Sequence, residues 1–319
     1  RARELFRSGT RDSLEQASAL LERVVAVDDK YSPAWRLLSK TYSARAWYGF
    51  LPLHEGFAKA RAAIQRAIDI DPSDAAALAG LAAVTQSYDM NLPETARLLK
   101  RAVSLSPHDE TVLGVAGGLA TTTGDGPRAI EIHEELVRLD PVSAGAWSNL
   151  GFAYVMSDRY ADAIAAYRKA LELEPDAVFT HENLGEVLMF SGDLDGALAE
   201  MQREPHDIMR SLGLAFVYAA QGRREESRRL LEEIGREHPD FASPVAAGYA
   251  RLGMSDEAFI WLERALQERD GGVLELRAGP LFEPLRQDPR YEPLLGRIGL
   301  SNEQVKALDF EPAVPEVAG

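Results

Sequence analysis

The stretch AGAWSNLGFAYVMSDRYADAIAAYRKALELEPDA, Ala144 to Ala177, decides how the rest of the chain is read. Its first half sets Trp147, Leu150, Gly151 and Tyr154 at helical spacing; its second half does the same with Ala163, Tyr167 and Ala170, ahead of Pro175. Apolar and small residues three and four apart give each of two helices one buried face. Asp158 lies between them, where a short polar residue suits a turn. One period later His181, Leu184, Gly185, Leu188, Ala197 and Met201 fall in the same slots. The step is 34 residues for Gly151 to Gly185, Ala163 to Ala197 and Asn149 to Asn183, and Pro107, Pro141 and Pro175 keep it too. A fixed period of this size marks stacked helix pairs. Small residues at the crossing let the two helices approach, and proline, lacking an N–H, stops the second one.

The pattern runs outward in both directions. Upstream, Ala129 with Pro141, Ala102 with Pro107, and Ala60 and Ala67 with Pro72 each close a unit, while Ala17, Leu21, Val24 and Asp29 read as an opening hairpin lacking part of its first helix. Downstream, Leu214, Tyr218, Gly222, Ser227 and Pro239 make one unit, and Tyr249, Gly253, Ala258, Leu262 and Ala265 another. Eight units are expected, starting near residues 1, 32, 75, 110, 144, 178, 208 and 239. The unit from Ser32 is too long by the stretch WYGFLPLHEGF, Trp47 to Phe57; a lid over a binding face and a packing wedge between hairpins both fit. The unit from Val178 is short because Glu204 and Pro205 interrupt its second helix. Past residue 270 the repeat fades into GPLFEPLRQDPRYEPLLGRIGL, which reads as capping helices over the last apolar face. The expected organisation is a solenoid over 1–269, a cap over 270–300, and a short helix with a mobile acidic, Pro-containing tail over 301–319.

These residues resemble the tetratricopeptide repeat family. The resemblance implies an all-α, right-handed superhelical solenoid of helix-turn-helix repeats with a C-terminal helical cap, whose first helices line a concave groove. Mapping the family's groove slots gives Asn149, Phe152, Val155 and Met156 from one unit, Glu182, Asn183, Glu186, Met189 and Phe190 from the next, and Leu212 and Phe216 from the one after. The asparagines offer an amide donor and a carbonyl acceptor to an extended peptide, or else brace adjacent helices. Phe and Met would form anchor pockets, with Glu182 and Glu186 selecting a basic residue; the alternative is that all of them pack against the next hairpin. The family's carboxylate clamp is not reproduced: Arg36 and Lys40 lie on the right helix face, but the following unit has Gly80 where Asn is expected. The order of features, from ARELFRSGT through the long second unit to the PLFEPLRQDPRYEPLLGRIGL ending, is similar to the C-terminal repeat region of bacterial signalling proteins. In those proteins the repeats follow winged-helix, class III cyclase or serine/threonine kinase domains. That resemblance implies a regulatory sensing module for a peptide or protein partner; a free-standing scaffold is the alternative.

Composition narrows the function classes. A net charge of −15 repels a phosphate backbone, so nucleic acid is not an expected partner of this segment. With no cysteine, disulfides and thiolate chemistry are excluded. No apolar run is long enough to span a bilayer, and a cytoplasmic setting is expected, or a periplasmic one if a membrane span precedes Arg1. Six histidines show neither HExxH nor an i, i+4 pair, the Gly-rich stretches near Gly114 and Gly124 fit no phosphate loop, and no GxSxG elbow occurs. The expectation is a binding module without cofactor, metal or catalytic centre. His181, in the slot that Trp147 fills one unit earlier, is expected to be a packed imidazole rather than a ligand.

Overall fold

A computed structural model describes residues 1–308 and Phe310; the tail expected from Asp309 otherwise lies outside the described residues. Sixteen helices follow one another in pairs: α1 (Ala2–Ser8) and α2 (Arg11–Val27), α3 (Ser32–Trp47) and α4 (Leu53–Ile70), α5 (Ala75–Ser87) and α6 (Leu92–Leu105), α7 (Glu110–Thr123) and α8 (Gly126–Leu139), α9 (Ala144–Val155) and α10 (Tyr160–Leu173), α11 (Thr180–Phe190) and α12 (Leu194–Arg203), α13 (Asp207–Ala220) and α14 (Arg224–Glu237), α15 (Ala242–Arg251) and α16 (Ser255–Glu268). Two 3-10 helices, Gly271–Leu276 and Pro280–Leu285, and the short α17 (Tyr291–Arg297) and α18 (Asn302–Lys306) complete the chain, and no strand occurs among the described residues. The described residues form two compact units, one of residues 1–119 with 303–308, the other of residues 120–302.

Each pair is held by the small residues that mark its crossing. Ala60, Ala67, Ala102, Ala163, Ala170, Ala197, Ala258 and Ala265 are all 0% exposed. On the first helix of the pair, Gly151 lies so close to Tyr167 that a Cβ there would stand 2.8 Å from the ring. The turn between helices needs a left-handed residue, supplied by Gly192 at φ 89° and Gly222 at φ 76°; Asp158 takes the same position at φ 56°. Helix starts are closed locally: Thr10, Asp74, Asn91, Asp125, Ser143 and Asp193 each accept a backbone N–H from the first turn of the helix that follows.

Successive hairpins are tied by polar contacts that repeat with the period. Trp147 Nε1 donates to the carbonyl of Pro141 at 3.0 Å, and Trp35 Nε1 to that of Asp29 at 2.9 Å. His181 does the same work from the same slot, its Nε2 3.0 Å from the Pro175 carbonyl and its Nδ1 2.7 Å from Glu200. Tyr154 donates to Glu134 of the preceding hairpin at 2.8 Å, and Tyr42 likewise to Glu22 at 2.5 Å.

The two irregular units have separate explanations. The surplus of the second pair is spent on longer helices and an aromatic cluster: Phe57, 1% exposed, meets Trp47 edge-on at 6.2 Å and stacks on Tyr88 at 4.9 Å. The insertion is therefore a packing wedge. In the short pair, α12 stops at Arg203 because Glu204 folds back, fully buried, to accept the backbone N–H groups of Phe179, Glu182 and His206 at 3.1, 3.3 and 3.0 Å. One carboxylate thus satisfies the start of α11 and breaks α12.

In α14 the crossing slot is filled by Ser227 instead of alanine, and its hydroxyl is buried with no hydrogen-bond partner. Removing an unsatisfied buried hydroxyl removes a desolvation cost. Ser227→Ala is expected to stabilise the protein by about 1 kcal/mol, read as a higher urea midpoint at unchanged slope.

Candidate functional site

The first helices of residues 120–302, α9, α11, α13 and α15, carry the residues that the repeat slots assign to a groove. The structure spreads them from surface to core. Asn149 is exposed, and Phe152, Met156, Asn183, Glu186 and Phe190 are half-buried. Val155 and Met189 are 5% exposed and Glu182 8%, while Leu212 and Phe216, at 1%, belong to the core. Those two are not exposed anchors: slot position gives the direction of a side chain, but not what covers it. Phe190 stacks on Tyr160 at 5.8 Å and has the Arg251 guanidinium 5.7 Å from its ring centre, so it bridges hairpins while keeping one edge open.

What covers the deeper residues is the chain itself. A first helix in a repeat stack ordinarily leaves its groove face to solvent, yet α15 is buried from Ala242 to Ala250 at every residue but Pro244. Both 3-10 helices pack on it. Asp270 makes the turn that starts this return: it is 3% exposed and accepts from the Ser243 backbone N–H at 2.8 Å, the Ser243 hydroxyl at 2.7 Å and the Gly272 N–H at 2.9 Å. It caps α15 as Glu204 caps α11, in each case from just past the second helix of the same hairpin.

Beyond Asp270 the segment does not stop at the last hairpin. Arg277 Nε donates to the carbonyl of Thr123, at the end of α7, at 2.7 Å; its other nitrogens reach the Leu300 carbonyl at 2.8 Å and Asn302 at 3.0 Å. Val273, Leu276, Leu285 and Leu300 are 0% exposed and Phe282 2%. Each such side chain contributes roughly 1.5–3 kcal/mol of burial, so the segment as a whole is firmly seated. Its outer side closes on α16 through Arg290–Asp256 and Arg297–Glu263, both at 2.9 Å. These pairs rim a shallow cleft of about 500 Å³ floored by Phe259, Ile260 and Leu294.

The seat is electrostatically unusual. Glu182 and Glu186 lie one helical turn apart on α11, and Glu275 of the first 3-10 helix adds to their electrostatic environment. Burial raises all three carboxyls, and their mutual repulsion adds to the rise for Glu182 and Glu275. Glu186 reaches about 7 and Glu275 about 8, while Glu182 is pushed well above the carboxylate range. Arg251 opposes the rise at Glu186, and burial beside these carboxylates also lifts the Tyr167 phenol. The repeat slots single out Glu182 and Glu186, but not Glu275, Arg277 or Asp270. Arg277 reaches another hairpin and Asp270 returns to the start of its own, and no periodicity encodes either contact. By contrast, Arg223 and Arg228 pair with Glu226, Glu225 and Glu232 at 2.6, 2.9 and 3.5 Å, an ion-paired helix surface.

Arg277→Ala strips a charged donor from two backbone carbonyls and Asn302. The expected outcome is a loss of about 1–3 kcal/mol, with faster protease cleavage inside residues 271–300 and unchanged helix content by circular dichroism.

Residues 144–177 match the family profile described as tetratricopeptide repeat. Among curated proteins, the chain is 26% identical over 218 residues to mouse superkiller complex protein 3, covering 66% of this chain and 13% of that protein. It is 28% identical over 302 residues to cellulose synthase 1 operon protein C of Komagataeibacter xylinus, covering 77% and 22% respectively. The chain therefore spans less than a quarter of the length of either relative. Among solved structures, human IFIT1 in its dimer with m7Gppp-AAAA superposes with a TM-score of 0.56 at 17% identity, over 80% of this chain and 68% of that one. A tetratricopeptide repeat protein from Parabacteroides merdae superposes with a TM-score of 0.52 at 17% identity, over 77% and 98%. At such identities the structures share the fold alone. The family profile places a tetratricopeptide repeat on α9–α10, and the helix pairs of the described residues share the solenoid architecture of tetratricopeptide repeat proteins.

Proposed function

We propose that the chain is a protein-interaction module, taking a peptide or protein partner on the first-helix face of residues 120–302 and acting by binding rather than catalysis. Tetratricopeptide repeats generally mediate contacts between proteins. The observation that carries the site assignment is the graded exposure of the slot residues. Asn149, Phe152, Met156, Asn183, Glu186 and Phe190 keep surface open to solvent, while their neighbours in sequence are core. The chain's own returning segment supports the same reading, because it lays a partly apolar, irregular stretch against this face.

The partner chemistry that fits is an apolar peptide with a basic residue. Phe190 and Met156 offer a soft apolar floor, Asn149 and Asn183 a pair of amides one period apart, and Glu186 a carboxylate at the margin. A net charge of −15 favours a basic partner over a nucleic acid. No helix among the described residues is long and apolar enough to cross a membrane. By resemblance to repeat regions that follow output domains, the module is proposed to be the cytoplasmic regulatory part of a bacterial signalling protein. The mass of the native gene product separates this from a free-standing scaffold.

Peptides selected by display against the folded chain are expected to be apolar and to carry Arg or Lys. The double variant Met156→Ala, Phe190→Ala should weaken them at least tenfold by calorimetric titration, with its melting temperature little changed. Equal affinity for the variant, or a stability loss of about 3 kcal/mol or more, would move these residues from the binding face to the core.

A further inference from the structure

The cleft between α16 and α17 carries none of the first-helix slot residues, and the repeat does not account for what lines it. In α8, α10, α12 and α14 the exposed slot two residues past the crossing is filled by Glu131, Ala165, Ala199 and Arg229. In α16 the same slot holds Ile260, a large apolar side chain left 68% exposed. Pro289 and Pro293, also exposed, line the other wall of the cleft. Phe259 and Leu294, nearly buried, make its floor.

Charges are ordered around that apolar strip. The α16 wall supplies the carboxylates, Asp256 and Glu263; the α17 wall supplies the guanidiniums, Arg290 and Arg297. Arg290 donates to Asp256 and Arg297 to Glu263, each at 2.9 Å, so the two walls run parallel. The two rungs stand seven residues apart on each wall, about 10 Å along a helix, with Ile260 between them. The face thus has an acidic edge, an apolar middle and a basic edge. A second copy turned over about an axis along the cleft lays its acidic edge on the basic edge of the first. Asp256 then opposes Arg290 of the other copy and Glu263 opposes Arg297 at the same height, while Ile260 meets Pro289 and Pro293. An axis across the cleft would oppose like charges instead. A guanidinium has five donors and a carboxylate about four acceptor sites, so pairing within a chain leaves capacity for pairing between chains.

We propose that the α16–α17 face is a homodimer interface, self-complementary about a two-fold axis along the cleft. A second copy is the occupant that this charge order selects, because a partner of one charge sign is drawn to one edge and repelled by the other. Nine residues line the cleft, against about 20–30 a side in a standard interface. The dimer is accordingly reversible, half-formed at roughly tens of micromolar chain. It joins two copies of the first-helix face in one assembly, a consequence that rests on the proposed partner-binding reading.

Sedimentation equilibrium of the full chain between about 1 and 200 µM should show the average mass rising from the monomer toward twice that value. Ile260→Asp should hold the chain at monomer mass throughout with an unchanged melting temperature, since the side chain it replaces is exposed. Glu263→Lys removes half of the acidic edge and should raise the dissociation constant by about tenfold or more. The ion pair it breaks within the chain is exposed and carries little stability. Val142→Asp, at an apolar residue 73% exposed outside the cleft, should dimerise as the unaltered chain does. A chain that stays monomeric throughout overturns the proposal and leaves the cleft to another kind of partner. A dimer that survives Ile260→Asp, or one that Val142→Asp weakens equally, overturns it too. No peptide is present, so either failure leaves the partner-binding reading standing, and failure of displayed peptides to bind would leave the dimer standing.

Discussion

In a stack of hairpins every helix pair buries one face within itself and another on its neighbour, so the last pair owns a face that no repeat can cover. The structure of residues 120–302 follows from how that face is dealt with. Within each pair the answer is a small residue at the crossing, Ala163, Ala197 and Ala258 or, in α14, Ser227, fully buried. At the end of the stack the answer is a different kind of chain, a proline-bearing segment in 3-10 turns that doubles back over α15. Proline serves it well: Pro280 opens the second turn, and the lack of a continuous helix lets the segment follow a curved face.

Two carboxylates make the fold-back possible. Glu204 and Asp270 each stand just past a second helix, and each satisfies backbone N–H groups at the start of the first helix of the same hairpin. In other hairpins a local side chain such as Asp74 or Ser143 closes the start of the first helix. Where the cap arrives from afar, the second helix is cut short or the chain is redirected. Both happen in the half of the protein whose first-helix face carries the buried carboxyls. Burial of Glu182, Glu186 and Glu275 together costs stability at neutral pH, a cost the buried apolar side chains of the segment offset.

Much of the architecture is legible in the sequence because it is periodic. The 34-residue step from Gly151 to Gly185 fixes the helix pairs. The slot shared by Trp147 and His181 carries through to atomic detail, since indole and imidazole meet equivalent carbonyls. Legibility ends where interactions leave the period. Slot position assigns Leu212 and Phe216 to a groove, but the packing around α13 buries them. Glu204 is readable as a break in α12 and not as the cap of α11. Arg277, which ties the returning segment to Thr123, has no counterpart one repeat away from which its role could be inferred.

The first-helix face is covered only if residues 271–300 fold back as far as the end of α7, instead of trailing from the last hairpin. Since the chain has no native cysteine, Thr123→Cys with Ala278→Cys creates a unique thiol pair. A short bis-maleimide should join them within single molecules in high yield, detected as a mass shift and a linked peptide after digestion. The control pair Thr123→Cys with Ile260→Cys, on the exposed side of α16, should stay unlinked. Cross-linking no greater than in that control would contradict the account.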